Sequence, residues 1–359
     1  MVHLPYSCNM RSVKRQALHA FACLVVASAQ GQYSGPESVE YDAVGDRYFV
    51  SNTSSGVIKV RDQAGVVTDF VSVSPAPYGL EIMGDTLFAC SGGSVKGYRL
   101  SDGALVFNRS LGGTFCNGIT TDGQFLYVTD FSSSAQRIYK VDVANNSHIT
   151  LVSNTGGQPN GIVHLPGTDE LLVAFWGSNA AVKSYDRNTG VLNGSVTTGL
   201  TNIDGITVDC FGRVVIASWS PDRISVFDWG VGSPTFTDLQ VPGLNNPADI
   251  DFDTFNQRIC IPNSGSNTVS LFELNCPMGI RSAPMPAVMR AVPNPTTGVL
   301  RVEPALTTDE PYLLLDARGL LVGGGTLKAG AQLDISALPS GRYAIQLTRR
   351  GTVLQVVKE

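Results

Sequence analysis

Glu37, Asn117, Asn160 and Asp204 offer two carboxylates and two amides, the hard oxygen donors that a divalent cation such as calcium or magnesium prefers. Each stands two residues before an apolar residue in a short recurring pattern. The same position is Tyr78 and Ala248 in two further copies. Histidine is scarce by contrast. Of four, His3 and His19 fall within the first 29 residues, leaving His148 and His164. A Ser-His-Asp triad or a multi-histidine zinc site is thereby nearly excluded. Chemistry in this chain must use carboxylates, amides, tyrosine or a bound hard cation.

The pattern that spaces these residues recurs six times, at 36–42, 77–85, 116–123, 159–167, 203–209 and 247–253. Its apolar anchors are Val39, Leu80, Ile119, Ile162, Ile206 and Ile250, separated by 41, 39, 43, 44 and 44 residues. Each copy continues into a second apolar run, a polar loop, a third alternating run and usually a weaker fourth. No window of 11 or more residues beyond the leader keeps a 3.6-residue period. Four short strands per ~40–45 residues define a propeller blade. The expected architecture is therefore all-β: a six-bladed β-propeller over 33–276, with a β-helix excluded because its repeats are shorter. The sixth copy shows no clear fourth strand, and the sequence does not say how the ring closes. First strands line a propeller's channel, so Glu37, Tyr78, Asn117, Asn160, Asp204 and Ala248 should form one ring at its mouth.

Composition agrees with an extracellular, turn-rich protein. Charged residues are 15% of the 359, and Gly (38) and Pro (19) are abundant, which excludes a coiled coil or a disordered polyelectrolyte. Net charge is −5, and no basic run exists of the kind that phosphate neutralisation demands, so no nucleic acid is expected as a partner. Residues 1–29 read as a signal peptide: Arg11, Lys14 and Arg15, an apolar middle too short to span a membrane, then Ala27-Ser28-Ala29. Export to the surface or medium, with no transmembrane segment, follows. Five cysteines remain, an odd number, and none has CxxC spacing. They read mainly as small buried hydrophobes, with Cys90 and Cys116 the best candidate bridge because the register puts them on neighbouring blades.

After Cys276 the repeat stops. Residues 277–291 hold three prolines and read as a linker, and 292–359 alternate as a small β-sandwich. Three motifs order this tail: Pro293-Asn294-Pro295-Thr296 with Gly298; Leu315-Asp316-Ala317-Arg318-Gly319; and Leu333-Asp334-Ile335 through Leu338, Gly341 and Tyr343. Their order and spacing resemble the C-terminal sorting domain of the bacterial type IX secretion system. The resemblance implies export by the leader, then passage of the outer membrane through that machinery as partner.

Glu37 in Pro-Glu-Ser-Val, Asn160 in Pro-Asn-Gly and Asp204 in Asp-Gly resemble the metal ligands of the gluconolactonase and regucalcin (senescence-marker-protein) family of six-bladed propellers. The resemblance implies a divalent metal at Glu37, Asn160 and Asp204, calcium being favoured, with Asn117 touching substrate or metal. It implies a hydrolase of a lactone or related ester in which Asp204 is both ligand and base. Phe115 stands where that family carries an arginine, and Val39-Glu40-Tyr41 replaces its Pro-Trp. With Tyr78, Phe115 should make the substrate pocket apolar, which favours neutral or aromatic lactones over sugar acids. The competing expectation is a non-catalytic surface propeller that binds a protein or glycan. Trp176, Trp219 and Trp229 are candidates to line a sugar-binding mouth but are expected rather to pack between blades, Asp249 to sit in a strand-end turn, and His148 and His164 to be solvated.

Overall fold

Short alternating runs cut by Gly-, Asn- and Asp-rich turns give strands throughout and no helix among the described residues. The computed structural model describes residues 32–165, 167–276, 289–303, 306, 309–317, 320–347 and 352–359. The expected leader, most of the expected linker, and Arg318 and Gly319 of the second tail motif lie outside these. The chain parts into two compact units between Cys276 and Pro277.

The first unit is a β-propeller of six antiparallel sheets, five of four strands and a last of three. The innermost strands are Pro36–Asp42, Pro77–Met83, Cys116–Thr121, Gln158–His164, Thr201–Val208 and Asp251–Asp253. Each touches the next in order, and the sixth touches the first, which closes the ring. In blades 1 to 5 the register slips just before the apolar anchor, as between Pro159 and Ile162. Such a bulge re-aims a side chain, and here it falls at the residue expected to line the mouth.

Adjacent inner strands approach almost backbone to backbone. A Cβ added at Gly118 would lie 2.4 Å from the Asn160 carbonyl oxygen, and one at Gly161 would lie 2.6 Å from that of Asp204. No side chain fits there, which explains the glycine after each mouth residue in blades 2 to 5. The step from blade 6 to blade 1 differs. Ser38 and Asp249 replace glycine on the two sides and form a parallel bridge, with Asp249 N–H donating to the Glu37 carbonyl (2.8 Å) and Ser38 Oγ to Asp249 Oδ2 (2.9 Å). Blade 1 has four strands of its own and lends none to blade 6. Closure therefore runs through this axial bridge, helped by Tyr48 Oη donating to Asp253 (2.5 Å).

The cysteine expectation needs correction. Cys210 bonds Cys276, while Cys90, Cys116 and Cys260 are free and buried. Cys90 and Cys116 do pack into one apolar cluster, as the register implied, but as thiols. Cys210 lies between the inner and second strands of blade 5, and Cys276 follows the last strand of blade 6. The bond thus fastens the end of the propeller to the preceding blade, beside the three-stranded sheet.

The second unit packs two sheets on one core of Leu300, Leu314, Leu333, Ile345, Leu354 and their neighbours, a β-sandwich. Its first strand, Arg290–Val292, begins inside the segment read as linker. The first tail motif is bound to the chain's last strand: Asn294 accepts from Val357 N–H and donates to the Gln355 carbonyl (2.8 Å each), and Thr296 N–H donates to the Val357 carbonyl (2.9 Å). Tyr343 Oη donates to the Pro339 carbonyl (2.8 Å).

Two outcomes are expected. Removing the disulfide as Cys210→Ser should cost about 2–4 kcal/mol, since the bond closes a loop of 66 residues. Denaturant unfolding of the variant measures this loss. Gly161→Ala should cost more than about 2 kcal/mol, because the obstacle is backbone rather than a movable side chain. Thermal unfolding set against Gly232→Ala, where nothing lies near the added carbon and φ is not positive, isolates the crowding from the loss of glycine.

Candidate functional site

The inner-strand register brings the sequence-expected residues to one end of the axis. Asn117, Asn160 and Asp204 are nearly sealed, at 5%, 3% and 2% exposure. Asn117 Nδ2 donates to Asn160 Oδ1 (2.5 Å), and Asn160 Nδ2 donates to Asp204 Oδ1 (3.0 Å), so one chain of bonds crosses blades 3, 4 and 5. Glu37 and Tyr78 are half-buried beside it. Ala248, fully buried, contributes no polar group.

Electrostatics at this mouth are unbalanced. Burial pushes the Glu37 carboxyl up to about 7. Asp204 is raised well above the usual carboxylate range, by burial first and then by the charges of Glu37 and Asp249, with the Asn160 bond and the Trp219 indole opposing. Glu37 also raises Tyr78, after burial. Among the described residues the Glu37 carboxylate has no hydrogen-bond or ion-pair partner, and no lysine or arginine pairs with Asp204 or Asp249. Like charges confined in a low-dielectric site without a counter-charge are costly.

The residues suit a divalent cation. Two carboxylates and an amide form a hard oxygen set, and their uncompensated charge is what a cation would neutralise. Asn160 would then turn its amide oxygen toward Asp204, and because its NH2 would meet the NH2 of Asn117, Asn117 would have to turn as well and accept from it. No group of three or more His, Cys, Asp or Glu suited to a metal occurs among the described residues, so any site here depends on the amide oxygens.

Asp249 corrects another expectation. It is an axial residue rather than a strand-end turn residue, and burial first, then Glu37 and Asp251, push it up to about 8 despite the Ser38 bond. It occupies the position that is glycine in blades 2 to 5, and the signal was visible: its motif, Pro-Ala-Asp-Ile, keeps the same register. Deeper along the axis lie Glu40, Glu81 and Asp251, which the sequence reading missed. They follow mouth positions at a constant three residues and line a cavity of about 40 Å³ with Asp249. Glu40 accepts from Ile82 N–H (3.0 Å) and Asp251 from Tyr41 N–H (2.9 Å), each joining its blade to the next.

The two histidines lie away from the mouth and are half-buried rather than solvated. His148 accepts from Arg109 Nε (3.1 Å) and meets Tyr139 edge to face, while His164 Nε2 bonds the Thr168 carbonyl (3.0 Å). Trp229 packs on Phe227 and donates to Glu170. Trp176 and Trp219 do not pack as blade core; they meet each other at the mouth, ring centroids 5.0 Å apart.

No family model matches the chain, and no curated protein matches it by sequence. Solved structures do. The β-propeller domain of Myceliophteria thermophila Cps50 (Swd1) is similar at 11% identity and TM-score 0.50, over 69% of this chain and 99% of that one. A streptogramin B lyase matches at 19% identity and TM-score 0.52, over 68% and 84%. Hydrazine synthase of Kuenenia stuttgartiensis matches at 14% identity and TM-score 0.56, over 93% and 99%. At these identities the likeness defines a β-propeller protein and nothing narrower. No helix among the described residues is long and apolar enough to cross a membrane.

The pH dependence follows from the raised carboxyls. The sign is fixed by Glu37: with a folded value near 7 against an ordinary 4.5, the folded state holds its proton longer. Cation-free protein should therefore lose stability as pH rises from about 4.5 through about 7. Glu37→Gln should reduce that slope without removing it, because Asp204, Asp249, Glu40, Glu81 and Asp251 are raised as well, and millimolar calcium at pH 8 should raise the melting temperature of the parent but not of the variant. Thermal melts across this range, with and without chelator, measure both.

Proposed function

We propose that this is an exported propeller hydrolase that acts on a lactone or related ester at the mouth ringed by Glu37, Asn117, Asn160 and Asp204. The observation that carries the reading is that, among the described residues, the Glu37 carboxylate near buried Asp204 has no hydrogen-bond or ion-pair partner and no lysine or arginine pairs with either. Glu37, Asn160 and Asp204 would hold one divalent cation, with calcium favoured by the all-oxygen donor set. When bound, such a cation polarises a carbonyl and acidifies water. Asp204 would accept the proton of the attacking water. Asn117 would bond the substrate carbonyl or its leaving oxygen, and Tyr78 with Phe115 would hold the apolar part. Asn117 and Asn160 would turn their amides together, since the present bond runs from the Asn117 NH2 to the Asn160 oxygen and must reverse when that oxygen is given to a cation.

The tail supports export. Its motif residues pin the terminal strand into a closed sandwich with its own core, which suits a detachable address for the type IX machinery. A surface or secreted location follows under this reading. A second reading, a non-catalytic propeller that binds a glycan or protein at the cell surface, draws support from the half-buried aromatic rings at the same mouth.

Elemental analysis of the purified full chain should find about one divalent cation per molecule. Glu37→Gln and Asp204→Asn should each lower kcat/KM on a lactone panel at least ~100-fold, the scale of losing a group that acts in the transition state. Parent protein that is metal-free and inactive on the whole panel overturns the hydrolase and leaves the binding propeller.

A further inference from the structure

Five aromatic rings form one unbroken series along the mouth. Tyr78 meets Phe115 with centroids 4.7 Å apart, Phe115 meets Phe131 at 5.3 Å, Phe131 meets Trp176 at 5.8 Å, and Trp176 meets Trp219 at 5.0 Å, every contact edge to face. Strand direction places them all at the Glu37 end of the axis. Phe115 directly precedes the inner strand of blade 3, Trp176 pairs with Gln158 at the start of the inner strand of blade 4, and Trp219 stands between partners of Thr201 and Ile203 in blade 5. Phe131 N–H donates to the Phe115 carbonyl (2.8 Å), Gln158 Nε2 to the Phe131 carbonyl (3.1 Å) and Trp219 Nε1 to the Pro247 carbonyl (3.1 Å). The series is thus held to the scaffold from blade 2 to the border of blade 6.

These rings are not core. All five are half-buried, and Phe115, Phe131, Trp176 and Trp219 belong to none of the propeller's apolar clusters. Large rings left half in water, yet locked in place by one another and by backbone bonds, are a rigid surface with little entropy left to lose on binding. The series starts at Tyr78, close enough to Glu37 to feel its charge, and ends at Trp219, near enough to Asp204 to oppose the rise of its carboxyl. The mouth is an apolar wall over an acidic floor, the layout of a small-molecule pocket.

We infer that the Phe131–Trp176–Trp219 wall is the specificity surface of this mouth and takes a flat, uncharged ring, with the ligand's oxygen end directed to the Asn117, Asn160 and Asp204 floor. The floor carboxylates repel an anion, and no lysine or arginine among the described residues pairs with them to offset this. A sugar acid is thereby disfavoured, and a polyhydroxylated ring would strand its outward hydroxyls against the wall, where the rings offer no acceptor. The oxygen end of this assignment rests on the hydrolase reading; the wall does not.

The test uses the full chain and two neutral lactones, aromatic dihydrocoumarin and polyhydroxylated gluconolactone, titrated calorimetrically with calcium present and after chelation. Dihydrocoumarin should bind at least ~10-fold tighter than gluconolactone. Trp176→Leu and Phe131→Leu should each weaken it at least ~5-fold while calcium binding stays within twofold. Phe131→Leu keeps the test valid should the tryptophan variant fail to fold, which a thermal melt reveals. Dihydrocoumarin bound in a wall-dependent way without turnover of either lactone would support the inference while overturning the hydrolase. Wall variants that bind dihydrocoumarin as the parent does, or gluconolactone as the tighter ligand, would overturn the inference itself.

Discussion

Close backbone contact at the axis is the constraint on which the rest of this molecule depends. Gly118 and Gly161 let successive inner strands approach until a carbonyl oxygen occupies the space a Cβ would need. That approach places Asn117, Asn160 and Asp204 within hydrogen-bond reach of one another across three blades. With ordinary side chains at the glycines the inner strands would stand further apart, and the mouth would be a loose ring of separate polar groups. The fold and the site are two results of one packing rule.

The rule is relaxed at one step. Between blades 6 and 1 the paired positions are Ser38 and Asp249, and a side-chain bond replaces bare backbone contact. This puts one more carboxylate onto an axis that already carries Glu37, Asp204, Glu40, Glu81 and Asp251. Of the deeper acids, Glu40 accepts from Ile82 N–H and Asp251 from Tyr41 N–H, yet burial and neighbouring carboxylates hold all three carboxyls, Glu81 included, above the usual range. Among the described residues Glu37 has no such bond, and raised carboxyls run from the mouth down the channel. Buried carboxyls gathered this closely cost stability.

The two units obey different grammars and meet different demands. In the propeller a ring closes on itself, and a disulfide from Cys210 to Cys276 fastens the end of the three-stranded blade. In the sandwich the conspicuous motif residues are spent on holding strands: Asn294 and Thr296 bond the last strand, and Tyr343 reaches back to Pro339. Motifs that look like recognition elements in the sequence thus also have a local structural duty, so their presence alone does not separate an address from a scaffold.

By itself the sequence determined the periodic part of this protein. Six anchors at near-constant spacing gave the blade count, the all-β class and the membership of the mouth, because inward-facing positions recur with the strand period whatever lies around them. The short sixth blade was legible too, as a missing run. Tertiary structure decided everything that depends on which non-repeating groups meet. The Cys210–Cys276 bond was hidden because Cys276 lies past the last repeat, where no register reaches it. Asp249 was misread because its role depends on facing Ser38 across the seam, a contact between residues 211 apart. The aromatic series was hard to see for a related reason: Phe131, Trp176 and Trp219 share one position, at the end of the second strand opposite the residue four before the anchor, but turns of unequal length between the first two strands mask that register in the sequence.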